Sequence, residues 1–400
     1  DRAKAGGYTA TDTTRWRFTT FGDRMLATNG VDPIQYIDMS TGAADFANLP
    51  GSPPTAKLIK SFREFVLLGD TGDSAFEIRW SAINDSETWT IGTNQADSQE
   101  FPDGGYINAI GVTDVAYIFQ EKAIRRMAYV GPPLVMSIDL IEAERGCVEP
   151  GSFAQLGRYF AYLAEDGFYL FDGQSSRPIG AEQIDEWFKA DVSLAYRYRM
   201  SAATDPVHKL FVWSYVSTSS SAGQPDTLLI YNWVADRWSY ARVECDQLTA
   251  SLTKGYTLEG LDAVYPSLDA MPVSLDDPTL TGGSLRFAAF SPEHKLAWFT
   301  GSPVAATLET GDFQLNPLGR ALTRYVTPVV DTDDATIKVG AKERQGDSFT
   351  WTSAVSQEAS GRCPARASGR FFRARIEIPA ASTWTHVNGL DVDVAKAGVR

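Results

Sequence analysis

Six times along this chain an apolar strand, a tight turn and a second strand ending in aromatic residues recur, followed by a polar turn. That repetition limits the fold more than any other feature. The first unit runs from Trp16 to Asp38, with strands at Arg24–Gly30 and Pro33–Asp38. The second holds Phe65–Gly69 and Ala75–Ser81 and closes at Trp89, and the third holds Val115–Phe119 and Ala123–Tyr129. The fourth pairs Tyr159–Leu163 with Phe168–Phe171 across Glu165-Asp-Gly167, and the fifth pairs Lys209–Tyr215 with Thr227–Tyr231 and ends at Trp238. The last holds Leu285–Phe290 and Lys295–Phe299. These bursts are rich in Val, Ile, Phe, Tyr and Trp and are separated by Gly, Asp, Asn, Pro and Ser, the composition of many short strands. Units of about 35 to 60 residues cannot bury an apolar face alone, so they must stack as radial blades do. The expectation is an all-β chain built on an about six-bladed β-propeller. A multi-sheet sandwich or a string of separate β domains is the alternative this pattern leaves open. The best helix candidate is short, Glu182–Asp191, with Ile184, Trp187 and Phe188 on one face.

From about Asn316 the texture changes. Arg324–Val330, Ala335–Gly340, Ser348–Thr352, Arg370–Ile378 and Val387–Val394 alternate apolar with polar, as half-buried strands of a β-sandwich do. The predicted organisation is therefore a propeller over 1–315 followed by a β-sandwich over 316–400. Of the 36 Lys and Arg and 50 Asp and Glu, the segment 316–400 holds 12 and 9, leaving 24 against 41 before it. A mildly basic tail after a strongly acidic propeller suits docking between neighbouring copies. The net charge of -14 opposes tight non-specific attraction to a polyanion, yet suits a wall past which DNA slides without sticking. Cys147, Cys245 and Cys363 are odd in number, widely spaced and form no CxxC, which reads as free thiols kept reduced in a cytoplasm. No run of about eighteen apolar residues exists, so no membrane span is expected. The sequence opens at Asp1 without an initiator Met, and residues upstream are expected to have been removed or to lie outside it.

The catalytic inventory is thin. Only His208, His294 and His386 could serve a nucleophilic triad. The first two sit in similar turns, Asp205-Pro-Val-His-Lys209 and Ser291-Pro-Glu-His-Lys295, ahead of apolar strands, which favours a structural role in the repeat. There is no GxSxG, no Cys and His cluster at zinc spacing and no P-loop pattern. Asp70–Ser74, Asp331–Asp334 and the pair Asp276 and Asp277 offer oxygens to calcium, but Asp and Gly are favoured in turns for backbone reasons alone. Asn84-Asp-Ser-Glu-Thr-Trp89 shares Thr88 and Trp89 with the Asp-box turn of sialidases, and a blade-closing turn with a buried Trp accounts for it. Ten Trp and 12% aromatic residues are expected to fill the wedges between blades. No catalytic, cofactor-binding or metal-binding residue is assigned.

Several segments carry a family resemblance. Arg15–Gly30 looks like the first blade of the tail nozzle or packaged-DNA stabilisation proteins of short-tailed bacteriophages, and Arg79–Trp89 resembles a turn of phage virion proteins. Gly167–Gly173 and Ile230–Ser239 are further matches. The resemblance implies a six-bladed propeller with an added β platform, copies of which form a homo-oligomeric ring, a hexamer, below the portal. It implies a non-enzymatic structural subunit of the virion tail, assembled in the host cytoplasm. Its expected partners are portal or adaptor and tail-fibre proteins, and double-stranded DNA that passes without sequence recognition. Such a ring retains the packaged genome and guides DNA ejection. The alternative from another class is a glycan-binding or glycan-cleaving propeller acting as a receptor-binding tail component.

Overall fold

The computed structural model describes residues 2–11, 13–43, 45–252, 261, 267, 270, 271, 285–299, 302–317 and 319–396. Its chain divides into two compact units, 1–299 and 300–400. The first is six antiparallel sheets in succession, each a meander whose strands follow sequence order. Blade 1 is Arg17–Phe21, Arg24–Thr28, Gln35–Asp38 and Ala47–Asn48 (β1–β4), and blade 2 is Ala56–Phe62, Phe65–Thr71, Glu77–Trp80 and Asp97–Glu100 (β5–β8). Blade 3 is Ile107–Val112, Ala116–Gln120, Ala123–Gly131 and Val135–Ala143 (β9–β12). Blade 4 is Ala154–Leu156, Tyr159–Leu163, Phe168–Phe171 and Ser176–Pro178 (β13–β16). Blade 5 is Ser201–Asp205, Leu210–Tyr215, Thr227–Asn232 and Arg237–Arg242 (β17–β20). Blade 6 has three described strands, Gln247–Leu252, Leu285–Phe290 and Leu296–Trp298 (β21–β23). The first strands of all six blades line one central cavity, which makes this unit a β-propeller.

Alternation along the second strand of each blade explains why the blades stack. On β10, Ala116 and Ile118 enter the apolar cluster shared with blade 2, whereas Tyr117 and Phe119 enter the one shared with blade 4. On β14, Phe160 and Tyr162 face blade 3, while Ala161 and Leu163 face blade 5. On β6, Val66 and Leu68 meet blade 1, and Phe65 and Leu67 meet blade 3. A strand buried on both faces is apolar through its middle, so these strands read as hydrophobic runs, with polar residues such as Asp70, Thr71 and Gln120 confined to their ends. Five such clusters fill the seams from blade 1 through blade 6. Aromatic residues supply the bulk there: Phe119 packs against Phe153, Phe160, Tyr162 and Phe171 at centroid distances of 5.0–5.7 Å. The blade connections also approach closely. A side chain at Gly151 would place its Cβ 1.9 Å from the Met200 carbonyl oxygen, so only glycine fits there.

The α-helix Asp185–Asp191 (α1) starts later than the predicted Glu182, whose left-handed backbone (φ 59°) is incompatible with a helical turn. Ile184, Trp187 and Phe188 nevertheless pack on the blade 4 and 5 cluster as their spacing implies. No described helix is long and apolar enough to cross a membrane.

The second unit is a β-sandwich. Ala306–Glu309, Ala321–Val330, Thr336–Lys342, Thr350–Trp351, Val355–Ser356, Ser368–Gly369, Phe371–Ile378 and Val387–Lys396 (β24–β31) form two antiparallel sheets. One has β24, β30, β26 and β27 in that order with β28 also on β26, and the other has β29, β25 and β31. Val326 of β25, Ile337 and Val339 of β26, and Phe372 and Ile376 of β30 share its core. The opposite face of β30 bears Arg373 and Arg375, paired with Glu309, and Arg373 also with Asp312. The division at Phe299 precedes the expected 315/316, because β24 hydrogen-bonds along Arg375–Ile378 of β30 and so belongs to the sandwich.

Candidate functional site

Side chains from all six blades line the central channel of the propeller. Arg17 comes from β1, Lys60 from β5, Asn108 from β9, Gln155 from β13, Thr204 from β17 and Gln247 from β21, around a cavity of about 410 Å³. These are first strands of their blades, so one long edge of each is unpaired and faces the channel. No Asp or Glu lines this chamber. Its two charged groups are both cations. The Arg17 guanidinium donates to the Pro150 carbonyl (3.2 Å), and its pKa is pushed below the ordinary 12.5 by burial, then by the neighbouring Arg15. The Lys60 ammonium is pushed below 10.5 by burial and by Arg17. Among the described residues Lys60 makes no ion pair.

Where the first strands begin, the channel opens into a mouth of about 490 Å³ that mixes charges. Each carboxylate there is already engaged. Asp70 accepts from Lys57 Nζ (2.8 Å), yet burial dominates and holds its carboxyl above 3.8. Glu149 is likewise raised by burial, with Arg197 at 3.4 Å opposing the shift. Asp246 contacts His294 Nδ1 at 2.6 Å. Arg15 lies over the Tyr198 ring, 5.9 Å from its centroid, and Arg199 donates to the Gly223 carbonyl (2.8 Å). The arrangement offers charge for binding an anion rather than a free pair of carboxylates for acid–base work.

The residues weighed from sequence fall elsewhere. His208 contacts Asp205 Oδ2 at 2.7 Å, within its own turn, while His294 reaches Asp246 in another segment. Their turns are not equivalent, contrary to the sequence reading: the first joins β17 to β18, innermost to second, and the second joins β22 to β23. The left-handed residue differs as well, Lys209 in one and His294 in the other, so the shared residues reflect turn chemistry. His386 is exposed beside Thr385 and Asp331 in the sandwich. Asp331, just after β25, accepts from the Thr385 and His386 backbone N–H groups and so ties that turn to the segment ahead of β31. No group of three metal-ligating side chains occurs among the described residues, and Asp276 and Asp277 lie outside them. Trp89 is buried in the blade 1 and 2 seam with Nε1 donating to the Ser86 carbonyl (2.8 Å), the structural role expected of it. All three cysteines are free and buried.

Sequence reasoning passed over Arg17 and Lys60. No motif marks them, since an inward cation on an innermost strand has the same local pattern as an outward one on a solvated strand.

No family model matches this sequence, and no curated protein does. Solved structures align at the level of architecture. A chain of the mitotic checkpoint complex aligns at 10% identity over 74% of this chain and 79% of that one, with a TM-score of 0.43. BamB from Moraxella catarrhalis aligns at 10% identity over 70% and 67%, with 0.35, and the Neurospora crassa Pan2 WD40 domain at 6% over 70% and 72%, with 0.36.

Proposed function

We propose that this chain is a non-catalytic structural subunit of a bacteriophage tail, a nozzle or hub protein that assembles into a ring below the portal, retains the packaged genome and guides its ejection. The observation that carries the reading is the coupling, in one chain, of a six-bladed propeller to a following β-sandwich, in the order that the resemblance of Arg15–Gly30 and Ile230–Ser239 implies. In this reading DNA runs along the axis of the ring. The propeller's own channel has the volume of a small-molecule site and takes no duplex. The sandwich unit, with 12 Lys and Arg against 11 Asp and Glu over 300–400, is near neutral beside the acidic propeller, so head-to-tail contacts between copies meet little like-charge repulsion and close into a ring when the rotation closes. A glycan-cleaving propeller would need two uncommitted carboxylates at one mouth, whereas Asp70 and Glu149 are each held by a cation.

The experiment is native mass measurement of the purified chain over a range of concentrations, together with electron microscopy of particles. The expected species is a single closed oligomer, seen as density below the portal. A chain that stays monomeric throughout and is absent from purified particles would sink the proposal.

A further inference from the structure

We propose that the half-open pocket lined by the six innermost strands is a binding site for one small oxyanion, a phosphate or a carboxylate, held by Arg17 and Lys60. Two cations face one cavity with no carboxylate on its wall: Arg17 feels the Glu149 carboxylate at the adjoining mouth, whereas Lys60 has no acidic partner among the described residues. Desolvation disfavours the charge on each, and the lysine is disfavoured further by the arginine beside it. Elsewhere in this chain buried cations find acids: Arg125 has Asp103 and Lys342 has Asp312. Lys60 is the exception at the channel, and a bound anion would supply its counter-charge.

Neutral donors are present as well. Gln247 and Thr204 line the same chamber. Asn108, by contrast, spends its amide on the Cys147 carbonyl (2.8 Å) and Gln155 spends its own on the backbone of Val112 and Gly157, so these two hold the wall rather than the ligand. The unpaired edges of the innermost strands add backbone N–H groups. A volume of about 410 Å³ suits a small metabolite-sized anion. Arg17 supplies a planar fork for two oxygens, and Lys60 supplies a point charge.

The site is tested on the full chain by calorimetry and thermal melting with inorganic phosphate and with succinate, each against chloride at equal ionic strength. Saturation at one anion per chain is expected, with a melting temperature raised above the chloride control. The stronger of the two probes identifies the oxyanion. Lys60→Gln and Arg17→Gln should each weaken binding roughly tenfold or more. Lys122→Gln, on an exposed lysine lining a different surface pocket, should leave binding unchanged. Lys60 projects into the cavity without a bonded partner among the described residues, so its variant remains a fair test should the Arg17 variant fail to fold. No heat and no melting shift with either anion overturns the proposal, as does binding to Lys60→Gln equal to that of the unaltered chain. Ring assembly is read separately by mass, so failure here leaves the proposed function standing.

Discussion

Substituting Trp213 by Phe tests whether the seams between blades hold the propeller together. Trp213 stands on β18, fully buried between blades 4 and 5, with its ring 4.9 Å from Phe168 and 5.5 Å from Trp238. Its indole Nε1 donates to the Ser152 carbonyl at 2.7 Å, a bond that ties blade 5 to the turn leading into blade 4. Phenylalanine keeps the aromatic packing but removes roughly 40 Å³ of side chain, which at about 24 cal/mol per Å³ of unfilled cavity costs about 1 kcal/mol. It also strips the buried Ser152 carbonyl of its indole donor, at about 1–3 kcal/mol. The expected loss is therefore about 2–4 kcal/mol, an effect on the scale of the largest single substitutions. Guanidinium denaturation followed by near- and far-ultraviolet circular dichroism reads it, with attention to the propeller transition, since two units need not unfold together. Trp298→Phe, at a side chain 41% exposed, serves as the control and should move stability by less than about 0.5 kcal/mol. Equal stabilities for the two variants would refute the claim that blade seams, rather than strand pairing within blades, carry the packing energy.

Two further outcomes follow from the side-chain environments. Asp331 accepts from Thr385 N–H, Thr385 Oγ1 and His386 N–H, which hold its carboxyl down at about 2. A depressed carboxylate stabilises the fold above its ordinary 3.8, and that contribution is lost as pH falls through about 2; a carboxyl titration by NMR with its midpoint at or above 3.8 would contradict this. Burial pushes Cys147 up to about 12 and Cys245 to about 11, and raises Cys363 too, so a thiol reagent at neutral pH should leave the native chain unlabelled. Denatured chain should take up three labels, read by intact mass, whereas rapid native labelling or fewer than three labels would refute free, shielded thiols.

The parts of this fold that were legible in the sequence are the parts buried on both sides. Phe65–Gly69, Val115–Phe119, Tyr159–Leu163 and Leu210–Tyr215 announce themselves because nearly every residue faces one seam or the other, the buried Ser214 being the polar exception, hydrogen-bonded to Ser201. The outermost strands left no such trace: Asp97-Ser-Gln-Glu100 forms β8 without a single apolar residue, held by its pairing with Glu77–Trp80. The innermost strands were hidden for a different reason. Ala56-Lys-Leu-Ile-Lys-Ser-Phe62 alternates irregularly because one edge of the sheet meets a polar channel instead of another strand. The sandwich was easier, since Phe371–Ile378 alternates strictly between core and surface. Its first strand, Ala306–Glu309, was missed because its partner lies far along the chain in β30.

The channel shows why a chain's net charge is a poor guide to its sites. A surplus of fourteen negative charges on 400 residues suggested a wall that repels anions. Exposed charges separated by more than about 8–10 Å are screened at ordinary ionic strength. In the half-open channel pocket the nearest groups therefore weigh most, and the charged groups on its wall are Arg17 and Lys60, with Glu149 near Arg17 at the adjoining mouth. The same reasoning divides the two proposals cleanly: an acidic outer surface bears on how DNA moves along a ring, and a cationic chamber bears on what small anion each subunit holds. A competition series at fixed ionic strength separates them, since repulsion at an exposed wall depends on ionic strength alone while the pocket discriminates between anions of equal charge.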